Sequence, residues 1–196
     1  INFAERHYPE ILPYLSSTKS PMQSMGVISK TYLPEKMGID PKKIRNIAIM
    51  PCTAKKDEAA RHQLQFEDMA EIDVVLTTRE LARLFRREGI SLAKLEPSHF
   101  DNPYMSEFSG AGAIFGTTGG VMEAAVRTMY YVANNKEYDL IEFEQLRGFD
   151  GVRAATVDMG GSIGEVKVAM CHGLKPARQI VERVLAGEVD FDFIEI

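Results

Sequence analysis

The sequence predicts an α/β fold with a mixed, mainly parallel sheet of about four to five strands flanked by helices. Three observations lead to this prediction. Short apolar segments typical of buried strands alternate with helical segments in the first half of the chain, which indicates parallel crossover units. The turn Gly160-Gly161-Ser162 separates two strand candidates and predicts an antiparallel hairpin. With 196 residues, of which 45% are hydrophobic and 26% charged, the chain is long enough to bury a core.

Helix signals recur along the chain. Ser20 before Pro21 offers an N-cap followed by proline at the first helical position, so we expect a helix from there to about Leu33. Thr78 is expected to cap a helix that stops at Gly89. The predicted helices cover residues 2–15 with a bend at Pro9, 21–33, 79–87, 121–134 and 177–185.

Strands are predicted from apolar runs and alternating patterns. They cover residues 44–50, 72–76, 141–146, 152–159, 165–170 and 191–196. The last pattern continues to Ile196, and a helical pattern already begins at Asn2. We therefore expect residues 1–196 to form a single lobe that is cut from a longer chain at both ends.

Composition excludes several classes of protein. Lys and Arg number 23 against 28 Asp and Glu, a net charge of −5, which argues against a nucleic-acid surface. No run of apolar residues approaches the roughly 20 that a transmembrane helix needs, and no secretory signal is recognisable. Two cysteines are too few for a disulfide framework, so we expect a reduced, cytoplasmic protein.

The segment Met50-Pro51-Cys52-Thr53-Ala54-Lys55-Lys56 is the most informative. It follows the first predicted strand, where open α/β sheets bind their ligands. The two lysines supply positive charge that stabilises a thiolate, so Cys52 is a candidate nucleophile or metal ligand. An ordinary buried cysteine at a strand end is an equally good interpretation. One cysteine cannot hold a metal alone, so any such site needs ligands from elsewhere.

Two further segments are open to more than one interpretation. The glycine-rich block 109–120 precedes a helix but lacks the P-loop and dinucleotide-binding patterns. One interpretation is that its backbone packs closely against a bulky cofactor, with Phe115 as an apolar wall. The other is a compact turn. The hydroxyl-rich run 15–21 suits proton transfer, or a loop that ends in an N-cap. Cys171 and His172 are neighbours on a predicted strand and point to opposite faces, so we expect a structural role for Cys171.

Taken together, these segments resemble the active-site domain of the iron-only, or FeFe, hydrogenases. The resemblance runs almost end to end and lies in the runs Leu15–Pro21, Met50–Lys56, Ile72–Leu81, Ser109–Arg127, Arg147–Gly151 and Phe193–Glu195. It implies one lobe of the catalytic domain. Met22-Gln23 departs from the pattern, because many members have Gln first after Ser-Pro, and this change is compatible with altered rates or a sensory role.

The resemblance also implies roles for individual residues. The family's H-cluster joins a four-iron cubane, held by four cysteines, to a di-iron unit with CO, cyanide and a dithiolate. Cys52 matches one of these cysteines, and the other three are expected outside the chain. Lys55 is expected to hydrogen-bond a cyanide, and Ser16 matches a serine of the proton path. The remaining expected cofactor contacts are Met50, Pro51, Phe115 and Gly116.

The implied function is reversible H2 oxidation and proton reduction, with the cofactor carrying out the chemistry. The expected partners are the remainder of the hydrogenase chain and an electron carrier such as ferredoxin, an NAD(P)-linked acceptor or other hydrogenase subunits. The isolated piece is expected to bind no H-cluster and to be inactive. The alternatives are a sensory hydrogenase-like protein and, less favoured, a hydrogenase-like iron–sulfur assembly factor. A plain α/β module is a further alternative.

Overall fold

The computed structural model describes residues 1–101, 104–138, 141–148 and 150–196. The chain divides into two compact units, one of Ile1–Leu15 with Glu107–Ile196 and one of Ser16–Ser106. The assignment of residues 1–196 to a single lobe therefore stays a prediction. Phe149, in the predicted turn 147–151, lies outside the described residues.

The elements follow in chain order. The α-helices are α1 Asn2–His7, α2 Pro21–Met37, α3 Ala54–Ala59, α4 Thr78–Arg87, α5 Gly110–Ile114, α6 Gly120–Asn134 and α7 Leu174–Leu185. The strands are β1 Ile47–Met50, β2 Gln65–Phe66, β3 Met69–Ala70, β4 Val74–Thr77, β5 Glu144–Gln145, β6 Val152–Asp158, β7 Glu165–Cys171 and β8 Phe193–Glu195. Short 3-10 helices cover Pro9–Tyr14, Pro41–Lys43 and Leu92–Lys94.

The unit Ser16–Ser106 is built on a parallel pair of strands. β1 pairs with β4 in the register Met50 to Thr77, so both strands end at the same edge. Inward residues of the pair pack with Met22 of α2 and with Ile72. β2 and β3 form a separate short hairpin.

The larger unit has a four-stranded sheet in the order β5-β6-β7-β8. The long β6–β7 hairpin is antiparallel, as Gly160-Gly161-Ser162 predicts, and β8 adds in parallel to β7. α6 packs on one face through Met122 and Val126, and α7 packs on the other through Ala177 and Ile180. Successive strand residues face opposite sides, which produces helix, sheet and helix layers.

The predicted α/β class with mixed pairing is confirmed, and several of its details differ. The described strands form three sheets rather than one, because the hairpin organises its own, mainly antiparallel sheet. The cap of α4 is Thr77 rather than the predicted Thr78: Thr77 and Glu80 form a capping box. α2 continues past the predicted Leu33 to Met37 and ends at Gly38 with φ of 63°.

Candidate functional site

Cys52 lies where the sequence predicts it, directly after β1. Pro51 and Cys52 are both exposed and connect the strand to α3. Since β1 and β4 are parallel, the thiol is at the carboxyl edge of the strand pair. The interpretation of Cys52 as an ordinary buried cysteine is not supported, because its side chain is open to solvent.

Both lysines that follow Cys52 are engaged in ion pairs. The Nζ of Lys55 lies 2.6 Å from Oε2 of Glu58, one turn along α3. The other oxygen of Glu58 accepts a hydrogen bond from Ser20 Oγ. Lys56 pairs instead with Glu80, at 2.7 Å. The two neighbouring lysines are thus linked to different elements. The partner of Lys55, Glu58, is bonded to Ser20 at the start of α2, whereas the partner of Lys56, Glu80, lies in the first turn of α4.

The Glu80 carboxylate is strongly favoured in its charged form. Its hydrogen bond from Lys56, followed by bonds from the backbone and hydroxyl of Thr77, lowers the pKa of Glu80 from 4.5 to about 2. This carboxylate is therefore charged, and available to Lys56, across the neutral pH range.

Met50 lines an apolar cavity of about 360 Å³ in the same unit. Met22, Met25, Gly26 and Ile72 are among the other lining residues. Met50 is half-buried and packs against the core around Ala48 and Val75. Met22, the residue at which this sequence departs from the hydrogenase pattern, therefore lines the same cavity as Met50.

The hydroxyl-rich run forms local structure. Ser16 is exposed, and its Oγ accepts a hydrogen bond from the backbone of Thr18 at 3.1 Å. Ser20 caps α2 by accepting from the backbone N–H of Gln23. Lys19 forms an ion pair with the buried carboxylate of Glu71. The expected proton-path role of Ser16 stays a prediction.

Phe115 and Gly116 lie in the other unit, at the end of α5. Phe115 is 38% exposed, and a Cβ on Gly116 would meet open space. The close packing that the glycine block predicts occurs further on, where a Cβ on Gly119 would lie 1.8 Å from the sulfur of Met170. A Cβ on Gly120 would lie 1.7 Å from the carbonyl oxygen of Ile114. These glycines pack against the protein itself.

Cys171 has the environment expected of a structural cysteine. It is buried beside Val152, Ala177 and Ile180, and burial raises the pKa of its thiol. His172, the next residue, is exposed. His172 lies just after the last residue of β7, so the strand does not include it.

The site residues suit one corner of a metal cluster rather than a complete one. A four-iron cubane takes four thiolate ligands. Within the described ranges, the structure brings together no group of three or more His, Cys, Asp or Glu placed to hold a metal ion. Cys52 provides an accessible thiol with Lys55 three residues on. Cys52 could thus supply one of the four thiolates that such a cluster takes.

The partner of Lys55, Glu58, and the hydrogen bond from Ser20 to Glu58 are not predicted from the sequence. The spacing of Lys55 and Glu58 by three residues on a helix is a signal for their pairing. Ser20 lies 38 residues from Glu58, and their contact depends on how α2 packs.

Comparison with known proteins identifies the family of the chain. The family described as "Iron only hydrogenase large subunit, C-terminal domain" matches residues 1–196. The chain belongs to this family. Among the part of the chain that the structure describes, no helix has both the length and the apolar character needed to cross a bilayer.

Relatives of two kinds are similar over nearly the whole chain. The periplasmic Fe hydrogenase large subunit of Nitratidesulfovibrio vulgaris is 46% identical over 98% of this chain and 45% of its own length. Iron hydrogenase 1 of Clostridium pasteurianum is 45% identical over 98% of this chain and 33% of its own. A cytosolic Fe-S cluster assembly factor of Xenopus tropicalis is 30% identical over 100% of this chain and 42% of its own. The chain thus spans between a third and a half of the length of these relatives.

Solved structures show the same fold. An apo FeFe-hydrogenase from Chlamydomonas reinhardtii is similar with a TM-score of 0.80 and 36% identity over 99% of this chain and 55% of that chain. A second hydrogenase structure, described in terms of stepwise H-cluster assembly, is similar to the same degree.

Proposed function

We propose that the chain is part of a longer FeFe hydrogenase that catalyses reversible H2 oxidation and proton reduction at an H-cluster, with Cys52 as one ligand of the cubane. The observation that carries this proposal is the exposed thiol of Cys52 at the carboxyl edge of the β1–β4 pair, within a family match over the whole chain. The remaining ligands belong to the rest of the parent protein, which accords with relatives two to three times longer.

The chain's residues supply binding and surroundings, and the cluster supplies the redox chemistry when bound. Cys52 binds iron through its thiolate. Lys55 offers a charge-assisted hydrogen bond to an anionic ligand, and it must turn from Glu58 to do so. Met50 shields the cofactor from water and Pro51 contacts it, whereas the roles expected of Phe115 and Gly116 stay predictions. Ser16 holds a proton at Oγ.

Sequence identity favours a hydrogenase over an assembly factor. Over the aligned stretch, the two hydrogenases are 46% and 45% identical to this chain, whereas the assembly factor is 30% identical. A sensory hydrogenase-like protein is the second candidate, because Met22, which lines the same cavity as Met50, stands where many hydrogenases have Gln.

Activity of the full-length protein, produced with its cluster, separates these functions. We expect H2-dependent reduction of a dye, which the Cys52→Ser variant lacks. H2 binding with no turnover would support the sensory function instead, and the absence of both would support the assembly factor. Ferredoxin and an NAD(P)-linked acceptor are the electron carriers to compare, since one relative is an NADP-reducing hydrogenase subunit.

The isolated chain of 196 residues is expected to hold no H-cluster and to be inactive, because a single thiolate cannot retain a cubane. Iron analysis of the purified chain checks this, and stoichiometric cluster iron would contradict it. The proposed location of the parent protein is the cytoplasm, although one hydrogenase relative is periplasmic.

A further inference from the structure

The buried polar side chains of the described residues gather at one interface in the unit Ser16–Ser106. They are Gln23, Ser29, Lys30 and Glu71. The first three belong to α2, and Glu71 lies just before β4. This interface, which we call the polar seam, holds α2 against the parallel strand pair.

Glu71 contacts the start of α2 in two ways. Its side chain, 0% exposed, forms an ion pair with Lys19, the residue before the N-cap Ser20. Its carbonyl oxygen lies so close to α2 that a Cβ on Gly26 would be 2.6 Å from it. The same carbonyl accepts from Asn46 at 2.6 Å, which fixes it in place. These two contacts of Glu71 therefore fix how closely the first turns of α2 approach the rest of the unit and where they lie.

Several polar atoms of the polar seam are not hydrogen-bonded. Among the described residues, Oε2 of Glu71 and both amide atoms of Gln23 have no hydrogen-bond partner. Burying polar atoms in this way costs free energy, and well-packed apolar side chains of similar volume are often at least as stable. In some proteins such buried polar groups fix one particular arrangement.

That arrangement extends from Glu71 to Lys55. Lys19 is bound by Glu71, and the next residue, Ser20, donates to Oε1 of Glu58. Glu58 in turn holds the Nζ of Lys55 at 2.6 Å from its Oε2. A shift of Lys19 moves Ser20 with it, because the two are consecutive, and Glu58 then loses one of its two contacts.

We propose that Glu71 is a positioning residue for Lys55, acting through Lys19, Ser20 and Glu58. The importance of Lys55 for a cluster rests on the proposed function, whereas its placement is a property of this chain alone. Glu71 thus controls how the amine beside Cys52 is presented, although its own side chain is buried in the polar seam.

The test measures the acylation rate of single lysines in the chain by mass spectrometry. In Glu71→Gln the pairing with Lys19 is weakened, and we expect Lys55 to react about fivefold faster, which corresponds to ~1 kcal/mol. Glu58→Gln sets the upper limit, because it weakens the direct partner of Lys55. Lys56, paired with Glu80, should keep its rate in both variants.

Matched variants make the result specific. Glu80→Gln should raise the rate of Lys56 and leave Lys55 unchanged. Lys19→Met removes the same ion pair from the side of its half-exposed partner and keeps Glu71 itself, so it tests the pair by a second route. The double variant Lys19→Met with Glu71→Gln should match the faster single variant, since both act on one pair.

An unchanged Lys55 rate in Lys19→Met would overturn the proposal, as would an equal rise at Lys55 and Lys56. The readout requires no iron. Failure of the proposed function would appear separately, as full iron content in the Cys52→Ser variant of the parent protein.

Discussion

Replacing Gly120 by alanine tests whether the glycine block is shaped by close packing. Gly120 is the first residue of α6, and its added Cβ would lie 1.7 Å from the carbonyl oxygen of Ile114. That carbonyl cannot move freely, because it accepts from the backbone of Thr117 at 2.9 Å and from the Thr117 hydroxyl at 2.7 Å.

The expected magnitude combines two opposing effects. Alanine in a helix is favoured over glycine by about 0.8–1.0 kcal/mol. Overpacking that forces the backbone to shift costs ~1–3 kcal/mol and sometimes more. The contact at 1.7 Å lies far inside any van der Waals distance, so we expect the upper part of that range and a net loss of about 2 kcal/mol.

Gly112 provides the matched control. It lies in α5, and its added Cβ would meet only the Ser109 hydroxyl, at 3.5 Å. Gly112→Ala should therefore raise the free energy of unfolding by about 0.5–1 kcal/mol. Urea unfolding of both variants, with linear extrapolation to water, gives the two values. A Gly120→Ala variant as stable as Gly112→Ala would refute the packing argument.

Three further predictions follow from local geometry. Because the pKa of Glu80 is lowered, its ion pair and capping bonds contribute their full stability above pH 4.5, and this contribution is lost as the pH falls toward 2. The free energies of unfolding of wild type and Glu80→Gln should therefore differ most above pH 4.5 and become equal near pH 2. A thiol reagent should modify exposed Cys52 well before buried Cys171, whose pKa is raised, and equal rates would contradict this environment. Glu195→Gln should destabilise the chain by ~1 kcal/mol, because the Glu195 carboxylate accepts a hydrogen bond from the Met122 N–H, at 2.6 Å, at the start of α6. Urea unfolding measures this loss. The control variant Glu165→Gln, at an exposed position, should show no loss.

Local signals in the sequence predict much of the fold. Ser20 with Pro21 correctly predicts the start of α2, and the glycine turn predicts the β6–β7 hairpin. The β2–β3 hairpin is missed because its turn residues, Glu67 and Asp68, adopt φ of 46° and 61° without the glycine that usually marks such turns. Thr77, rather than Thr78, could have been identified as the α4 cap from its spacing to Glu80.

The candidate site is predictable only in part. The position of Cys52 follows from the strand before it, and Lys55 follows from its motif. The contact of Ser20 with Glu58 joins residues 38 apart, and the ion pair of Lys19 with Glu71 joins residues 52 apart. Such pairings depend on how α2 lies on the strands, which sequence periodicity does not specify.

The central claim is that Cys52 is one ligand of a cluster shared with the rest of a longer protein. The iron content of the full-length protein, compared between Cys52→Ser and Cys171→Ser, tests it most directly. We expect Cys52→Ser to lose the cluster while the chain stays folded, and Cys171→Ser to retain iron at the wild-type level. Wild-type iron content in Cys52→Ser would contradict the claim.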